Sequence, residues 1–315
     1  MLVVSLDAIE DQYFALSYAW GDAKARKPIT INGHERMVTV NLEAFLHEWR
    51  NGAVREDRPE IYDTYFWIDA ICINQEDKSE RASQVNLMSK IYPSARAAMC
   101  WLGQGSRSCE YGLEAIVRLG DHVQSFLDED NPTDYLTKEA WPEEFYLEDD
   151  SAAGTYQNVA WNGMQNLFAV EYWVRAWIQQ EFALAKTVIF KYGRAVALLS
   201  HMRYVWKWWK GFEHQVRPEF ISHSLWRKLA KTPFRHLLGM EDHLQRLEFL
   251  KLTSRDHTVM ETTDLAFFTL YTALRVVQAT DPRDMLYSLL GVMKLGIQAN
   301  YELTVEDVYY QFATT

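Results

Sequence analysis

Cysteine is scarce in this chain, with only Cys72, Cys100 and Cys109 in 315 residues. Their spacing fits no metal site. The first two lie in apolar stretches that read as buried strands, where a thiol acts as a small apolar filler. This usage excludes a disulfide-stapled secreted fold and points to a reducing, cytoplasmic compartment. Long apolar runs are also missing. None reaches the roughly 18 residues that suggest a membrane span, and nothing at the N-terminus joins a basic start to a long apolar core. A soluble chain with no membrane span is expected. No glycine loop could cradle a phosphate, since Gly103-Gln104-Gly105 lacks both the length and the following helix. The nine histidines are scattered. His236 and His243 are too far apart for one helical metal pair, and no histidine is linked by motif to Ser17 or a cysteine. Neither a structural metal nor a hydrolase triad is expected. The chain has no basic excess either: a net charge of −11 argues against general nucleic-acid binding.

The acidity is concentrated. Between Arg107 and Ala160, 13 acidic residues face only Arg107, Arg118 and Lys138, a balance of −10 that leaves the rest of the chain almost neutral. From Arg194 to His236, nine Lys or Arg meet only Glu213 and Glu219, with Trp206, Trp208 and Trp209 interleaved. Solvated faces that complement each other are the simplest reading of the two blocks, and a tryptophan cluster in a helical region is expected in a core or an interdomain contact. A hydrophobic fraction of 48% is ample for a full core, and the length suits one α/β domain plus a second unit.

Tyr65 to Leu102 reads as a strand, a polar turn, a helix and a second strand. The nearly unbroken apolar run Phe66–Ile73 predicts one buried strand, interrupted by Asp69, whose carboxylate must find donors or a cation. Asn74 to Asp77 form the turn, Asp77 with Glu80 predicts a capping box, and Ala82, Val85, Met88 and Tyr92 repeat at helical spacing until Pro93. Ala97–Leu102 is the next strand. Before this unit, Tyr13–Tyr18 predicts a short strand running into Ala19, Trp20, Gly21 and Asp22. Asn32-Gly33 predicts a hairpin between Ile29–Ile31 and Arg36–Val40, and Asn41 a cap for the helix Leu42–Trp49. After it, 104–161 reads as an acidic insertion with patchy helical periodicity. Glu171–Lys186 predicts a helix with Trp173, Trp177 and Glu181 on one face, and Thr187–Tyr192 another strand. From Ala195 onward the chain reads as mainly helical, including Met202–Phe212, Ser224–Leu229 and Leu265–Gln278. Arg283–Met293 follows Asp281-Pro282. Thr304 with Asp307 predicts a last capping box, whose helix meets Thr315 without a stop signal, as in a truncated chain. The strand–helix alternation up to residue 194 predicts a parallel α/β sheet, followed by a mainly helical region over 195–315.

In such a sheet ligands gather beyond the carboxyl ends of the strands, where Ser17–Asp22 and Cys72–Gln75 would both lie. Glu181 is the leading functional candidate. A carboxylate on the apolar stripe of its helix, following Trp177, could accept hydrogen bonds from ribose hydroxyls and stabilise positive charge at an anomeric carbon. The bland alternative is a structural carboxylate paired with Arg175 or Arg194.

Three long motifs now stand in order: LSYAWGD at Leu16–Asp22, WIDAICINQED at Trp67–Asp77 continuing through QVNLMSKIYPSA, and RAWIQQEFALA at Arg175–Ala185. Together they resemble the fungal heterokaryon-incompatibility (HET) domain over roughly Tyr13 to Tyr192, and DPRDMLYSLLGV at Asp281–Val292 resembles the segment that commonly follows it. The resemblance implies a distant relation to Toll/interleukin-1-receptor (TIR) domains. It thus implies an α/β fold with a TIR-like (flavodoxin-like) parallel sheet flanked by helices, with insertions, plus a mainly helical C-terminal region. TIR enzymes that cleave nicotinamide dinucleotides carry a glutamate four residues after a tryptophan, a spacing matched by Trp177 and Glu181, while Ser17 and Tyr18 match the end of the first strand. Ile178, Arg175, the Asn32 hairpin and the acidic insertion depart from that pattern. The resemblance implies a cell-death effector with Glu181 as the catalytic residue and NAD as substrate rather than cofactor. Ser17, Tyr18, Trp20, Gly21, Asp22, Asn74, Gln75 and Trp177 would hold the dinucleotide, with Asp69 bracing the turns. It further implies activity as a homo-oligomer, with an activating protein partner. The alternative is a non-catalytic signalling and self-association module.

Overall fold

Tyr13–Tyr18 forms the strand β1, buried at every position except Phe14. The computed structural model describes residues 1–55, 64–127, 141–146, 158–213, 217, 219–224, 277–292 and 295–314. Next come β2 (Arg26–Ile31) and β3 (His34–Thr39), a separate antiparallel pair. Their turn is the expected one: Asn32 and Gly33 sit at φ 51° and 80°, the positive values that a tight hairpin needs and that asparagine and glycine tolerate best. The helix α1 (Val40–Arg55) begins earlier than expected and contains Asn41, which is therefore not its cap. Its amide instead ties two strand ends together, donating to the Ala19 carbonyl at 2.6 Å and accepting from the Trp101 indole at 2.9 Å.

The strand expected over Phe66–Ile73 is cut short. β4 covers only Tyr65–Trp67, and Asp69–Cys72 turns into the short helix α2. Asp69 explains the break: its Oδ1 accepts from the Ala70 N–H at 2.7 Å, a local bond that favours a helical turn over a strand. Cys72 is accordingly part-exposed in α2 rather than buried in a sheet, whereas Cys100 is buried as expected. The helix α3 (Lys78–Ser94) starts at Asp77, whose side chain accepts from the Ser79 and Glu80 amides. The reciprocal half of the expected box is not made: Glu80 reaches past the cap to the Asn74 N–H at 2.9 Å, and the Asp77 N–H binds the Asn74 carbonyl at 3.2 Å.

Then follow β5 (Ala97–Gly103), α4 (Arg107–Leu127) and α5 (Val159–Phe168). The 21-residue α4 corrects the reading of patchy order after β5. Glu171–Lys186 is not one helix: a 3₁₀ turn over Glu171–Val174 precedes α6 (Ile178–Leu184). Between them the backbone extends, with Ala176 N–H on the Gln278 carbonyl at 2.9 Å and Gln278 N–H on the Val174 carbonyl at 2.6 Å. Trp173 therefore shares no helix face with Glu181, while Trp177 does keep its i, i+4 relation to it. Gln278 is extended, not the end of a helix. The strands β6 (Val188–Tyr192) and β7 (Ala195–Leu198) form an antiparallel pair, so the chain beyond Ala195 opens with a strand that the sequence reading missed. The helix α7 (Leu199–Glu213) agrees with expectation. Of the expected stretch Arg283–Met293, described as far as Val292, only α8 (Asp284–Tyr287) is regular helix. α9 (Val305–Thr314) has the expected reciprocal box, with Thr304 Oγ1 donating to Asp307 at 2.8 Å and accepting from its N–H at 3.1 Å. His236, His243, and most of the helices expected over Ser224–Leu229 and Leu265–Gln278 lie outside the described residues.

The main sheet runs β4-β1-β5-β6-β7 and is mostly parallel, with helices flanking it. Numbered along the chain within this sheet, the order is 2-1-3-4-5, that of flavodoxin-like folds. The fold is α/β. The chain divides into two units, one of residues 1–101, 171–188 and 242–315, the other of residues 102–170 and 189–241. In the second, Gly112 of α4 meets Gly163 of α5 so closely that a Cβ on Gly112 would lie 2.2 Å from the Gly163 backbone. The core of that unit includes Trp141, Trp161 and Trp208, with Trp141 and Trp208 ring centroids 4.3 Å apart. Trp206 and Trp208 are buried there, as a core cluster should be.

Candidate active site

In the first unit, the strand order reverses between β1 and β5, so a crevice is expected at their carboxyl ends. Ser17 stands there, opposite Cys100 in the parallel register. Both are buried. Two residues beyond the last β1–β4 pair, Ala15 with Trp67, the chains reach Ser17 on one side and Asp69 on the other. The third contribution comes from the 3₁₀ turn, the extended link after it and α6, which supply Tyr172, Arg175 and Glu181 in turn.

Glu181 is 4% exposed. Ser17 Oγ donates to its Oε2 and lies 2.8 Å from the Tyr172 hydroxyl, and Arg175 Nη1 lies 3.7 Å from the same carboxylate oxygen. That guanidinium nitrogen is buried and makes no hydrogen bond, so its contact with Glu181 is purely electrostatic. Burial raises the Glu181 pKa above the ordinary carboxylate range; Arg175 and the Ser17 bond oppose the rise and Asp69 adds to it. The Asp69 carboxyl is likewise raised by desolvation, against the pull of Arg175 and the Trp20 donor. For Arg175, desolvation works downward, but Glu181 first, then Asp69, Tyr172 and Tyr92, act upward, and the net shift holds the guanidinium charged. Cys100 sits beside Tyr172 and Ser17, and burial pushes its thiol up to about 12, which keeps it protonated and unreactive.

Of the residues expected to hold a ligand, Ser17 and Glu181 are joined directly. Trp20 and Gln75 gather on Asp69: the Trp20 indole donates to its Oδ2 at 2.8 Å and the Gln75 amide to its carbonyl at 3.2 Å. Asp69 therefore braces both turns, as expected. Tyr18 is buried beside Asp69, Arg175 and Glu181. Trp177 stands at the start of α6, with its side chain toward Asp284. Gly21, Asp22 and Asn74 are exposed and share no hydrogen bond with the Ser17–Glu181 pair. Arg175, not Arg194, is the partner of Glu181; the Arg194 N–H binds Glu110. Sequence reasoning missed Tyr172, hidden in an irregular turn, and Cys100, whose place follows only from its register with Ser17. Among the described residues no group of His, Cys, Asp and Glu could hold a metal ion, and no helix is long and apolar enough to cross a membrane.

A buried carboxylate with one hydroxyl donor and one guanidinium, at the switch point of a parallel sheet, can stabilise a nearby positive charge. The family model for Heterokaryon incompatibility protein (HET) matches residues 13–181. The chain belongs to this family. The HET match begins on the first residue of β1 and ends on Glu181, so it contains every side chain of the cluster just described. Heterokaryon incompatibility protein 6, OR allele, of Neurospora crassa is 27% identical over 340 aligned positions, which cover 96% of this chain. The chain spans about half of that relative's length, 46%. No solved structure matches the chain.

Proposed function

We propose that this chain is an effector of heterokaryon incompatibility and cell death whose HET region cleaves the nicotinamide glycosidic bond of NAD. The observation that carries this reading is Glu181, a desolvated carboxylate bonded to Ser17 at the β1/β5 switch point. In the reaction the C1′–N bond breaks and its electron pair stays on the nicotinamide nitrogen, which leaves neutral. The positive charge passes to C1′ and the ring oxygen of the ribose, where Glu181 opposes it. Water then adds at C1′ and releases a proton, giving ADP-ribose. In this reading Ser17 fixes the carboxylate, Trp177 packs beside it, and the turns at Ser17–Asp22 and Asn74–Gln75 bind the remainder of the dinucleotide. Cytoplasmic location, activity as a homo-oligomer and release by a protein partner belong to the same proposal. The test is nicotinamide release from NAD by concentrated, self-associated protein. Glu181→Gln is expected to lower the rate by about 100-fold, and equal release by the two proteins overturns the assignment.

One observation favours a second reading. Glu181 is almost fully enclosed and already has a hydroxyl and a guanidinium as partners, which suits a structural carboxylate inside a non-catalytic signalling module. A folded Glu181→Gln protein that kills cells as well as wild type supports that module.

A further inference from the structure

Arg283, in the first unit, is a structural arginine with its donors in use. It holds Asp281 by a fork of two hydrogen bonds, Nε at 2.9 Å and Nη2 at 2.8 Å, and its Nη1 donates to the Tyr301 and Leu303 carbonyls at 2.9 and 2.7 Å. Arg175 is built differently. Its backbone is fixed on both sides by Gln278, which accepts from the Ala176 N–H at 2.9 Å and donates to the Val174 carbonyl at 2.6 Å. Its side chain is not. Nη1 lies 3.7 Å from Glu181 Oε2, beyond hydrogen-bond distance, and is buried with no hydrogen-bond partner. The side chain keeps 16% of its surface exposed against 5% for Glu181, so the guanidinium is the more open of the two. Gln179 and Gln180 are buried just beyond, and neither bonds through its side-chain amide. Folded chains leave few buried polar groups unmet, so three unmet side chains within six residues of Glu181 point to a ligand rather than to packing.

The ligand's chemistry follows from the charge. A guanidinium presents a planar fork of N–H donors that matches a phosphate or carboxylate. With a net charge of −11 and no glycine loop to cradle a phosphate, the chain can receive a dinucleotide only where a side chain supplies a cation. We propose that Arg175 is the anion-binding residue of this site, taking a phosphate of the dinucleotide on the donors that Glu181 leaves unused. The proposal deepens the NAD-cleavage reading and rests on it for the place of the phosphate: the 5′-phosphate of the nicotinamide ribose is one sugar ring away from the anomeric carbon that Glu181 faces. Charge is then redistributed. Before binding, Arg175 and Glu181 offset each other; with a phosphate on Arg175, the Glu181 charge is left to oppose the cation forming at C1′. No hydrogen bond joins the two side chains, so none has to break for that exchange.

The test is isothermal titration calorimetry with ADP-ribose, inorganic pyrophosphate and adenosine on wild type, Arg175→Gln and Arg175→Lys. Arg175→Gln removes the only cation paired with a buried carboxylate, so the double variant Arg175→Gln/Glu181→Gln, read against Glu181→Gln alone, guards against a misfolded single variant. Arg175→Gln is expected to bind ADP-ribose roughly 10- to 100-fold more weakly than wild type, the range for hydrogen bonds to a charged group, and the double variant to lose as much relative to Glu181→Gln. Arg175→Lys keeps the charge without the fork and should recover only part of the loss. Pyrophosphate is expected to compete with ADP-ribose on wild type alone, whereas adenosine, which lacks the phosphates, should bind weakly and alike in every protein. Unchanged ADP-ribose affinity in both glutamine comparisons overturns the proposal. An equal loss for adenosine also overturns it, since that marks an arginine that only supports the fold, as does a wild type that binds neither ADP-ribose nor pyrophosphate. A wild type that binds ADP-ribose through Arg175 yet releases no nicotinamide from NAD removes the hydrolase reading and leaves the anion site standing.

Discussion

Ser17 Oγ, on the first strand of the main sheet, donates its hydrogen bond to Glu181, 164 residues further along the chain. That bond joins the first and last motifs of the HET region and supplies the one hydroxyl donor of a buried carboxylate. Ser17→Ala is therefore expected to cost about 1–3 kcal/mol of stability, the range for leaving a buried polar group unsatisfied. Any nicotinamide release should fall with it. Urea unfolding measures the first effect, and an unchanged midpoint would mean that Glu181 finds another donor without cost.

The pH dependence of that carboxylate has a definite sign. Burial raises its folded-state pKa above the unfolded value, so its favourable contribution is complete below the unfolded pKa and is lost as pH rises through the folded one. Glu144 and Asp281 act oppositely. Their folded pKa values are lowered: desolvation alone would raise them, but bonds from Arg118 and Tyr111 to Glu144, and from Arg283 to Asp281, outweigh it. Their contribution is lost as pH falls through those lowered values. The difference between Glu181→Gln and wild type isolates Glu181. The variant is expected to gain in melting temperature relative to wild type as pH rises from 4 to 7. A constant difference would mean that Arg175 compensates the carboxylate fully.

Much of this arrangement could be read from the sequence because the signals were local. Tyr13–Tyr18, the Asn32-Gly33 turn, the Asp77 cap and the Thr304–Asp307 box each depend on neighbours a few residues apart, and each stands where expected. The readings that failed depended on distant partners. Phe66–Ile73 has the apolar content of a strand, but the Asp69 side chain bonds its own neighbour and turns the backbone. Glu171–Lys186 has helical periodicity, but Gln278, about a hundred positions away, captures the backbone at Val174 and Ala176. In the site, the spacing of Trp177 and Glu181 pointed to the carboxylate. Nothing local could decide between Arg175 and Arg194 as the partner of Glu181, or reveal that Tyr172 and Cys100 flank Ser17.

The crossing of α4 and α5 leaves no room for a side chain. A Cβ on Gly112 would lie 2.2 Å from the Gly163 carbonyl carbon, and one on Gly163 would lie 2.7 Å from the Ser108 carbonyl oxygen. Both obstacles are backbone, which cannot rotate away. Gly112→Ala is expected to force the helices apart and cost about 1–3 kcal/mol, as overpacking does. Circular dichroism melting of the variant checks this, and a melting temperature equal to wild type would show that the helices slide without loss.

The last prediction concerns the segment after residue 277, whose anchor in the first unit is Arg81 on α3. Its guanidinium pairs with Asp284 at 3.1 Å and lies 3.7 Å from the centroid of the Tyr301 ring, while the Tyr301 hydroxyl donates to the same aspartate. One turn further along α3, the Asn86 amide brackets Ala299, donating to its carbonyl at 3.2 Å and accepting from its N–H at 2.9 Å. The segment also covers α6, since Gly291 leaves less than a side chain's width to Leu184 and Gln180. Arg81→Ala would leave Asp284, which is mostly buried, with one donor fewer and without the cation paired with it. A loss of about 2 kcal/mol is expected, in the range for hydrogen bonds to charged groups. Because Gly291 presses on the helix that carries Glu181, loosening the segment should also make α6 easier to open. Hydrogen exchange at the Phe182 and Ala183 amides is expected to quicken in Arg81→Ala. Faster exchange confined to residues 281–308 would mean that α6 holds its place without the segment.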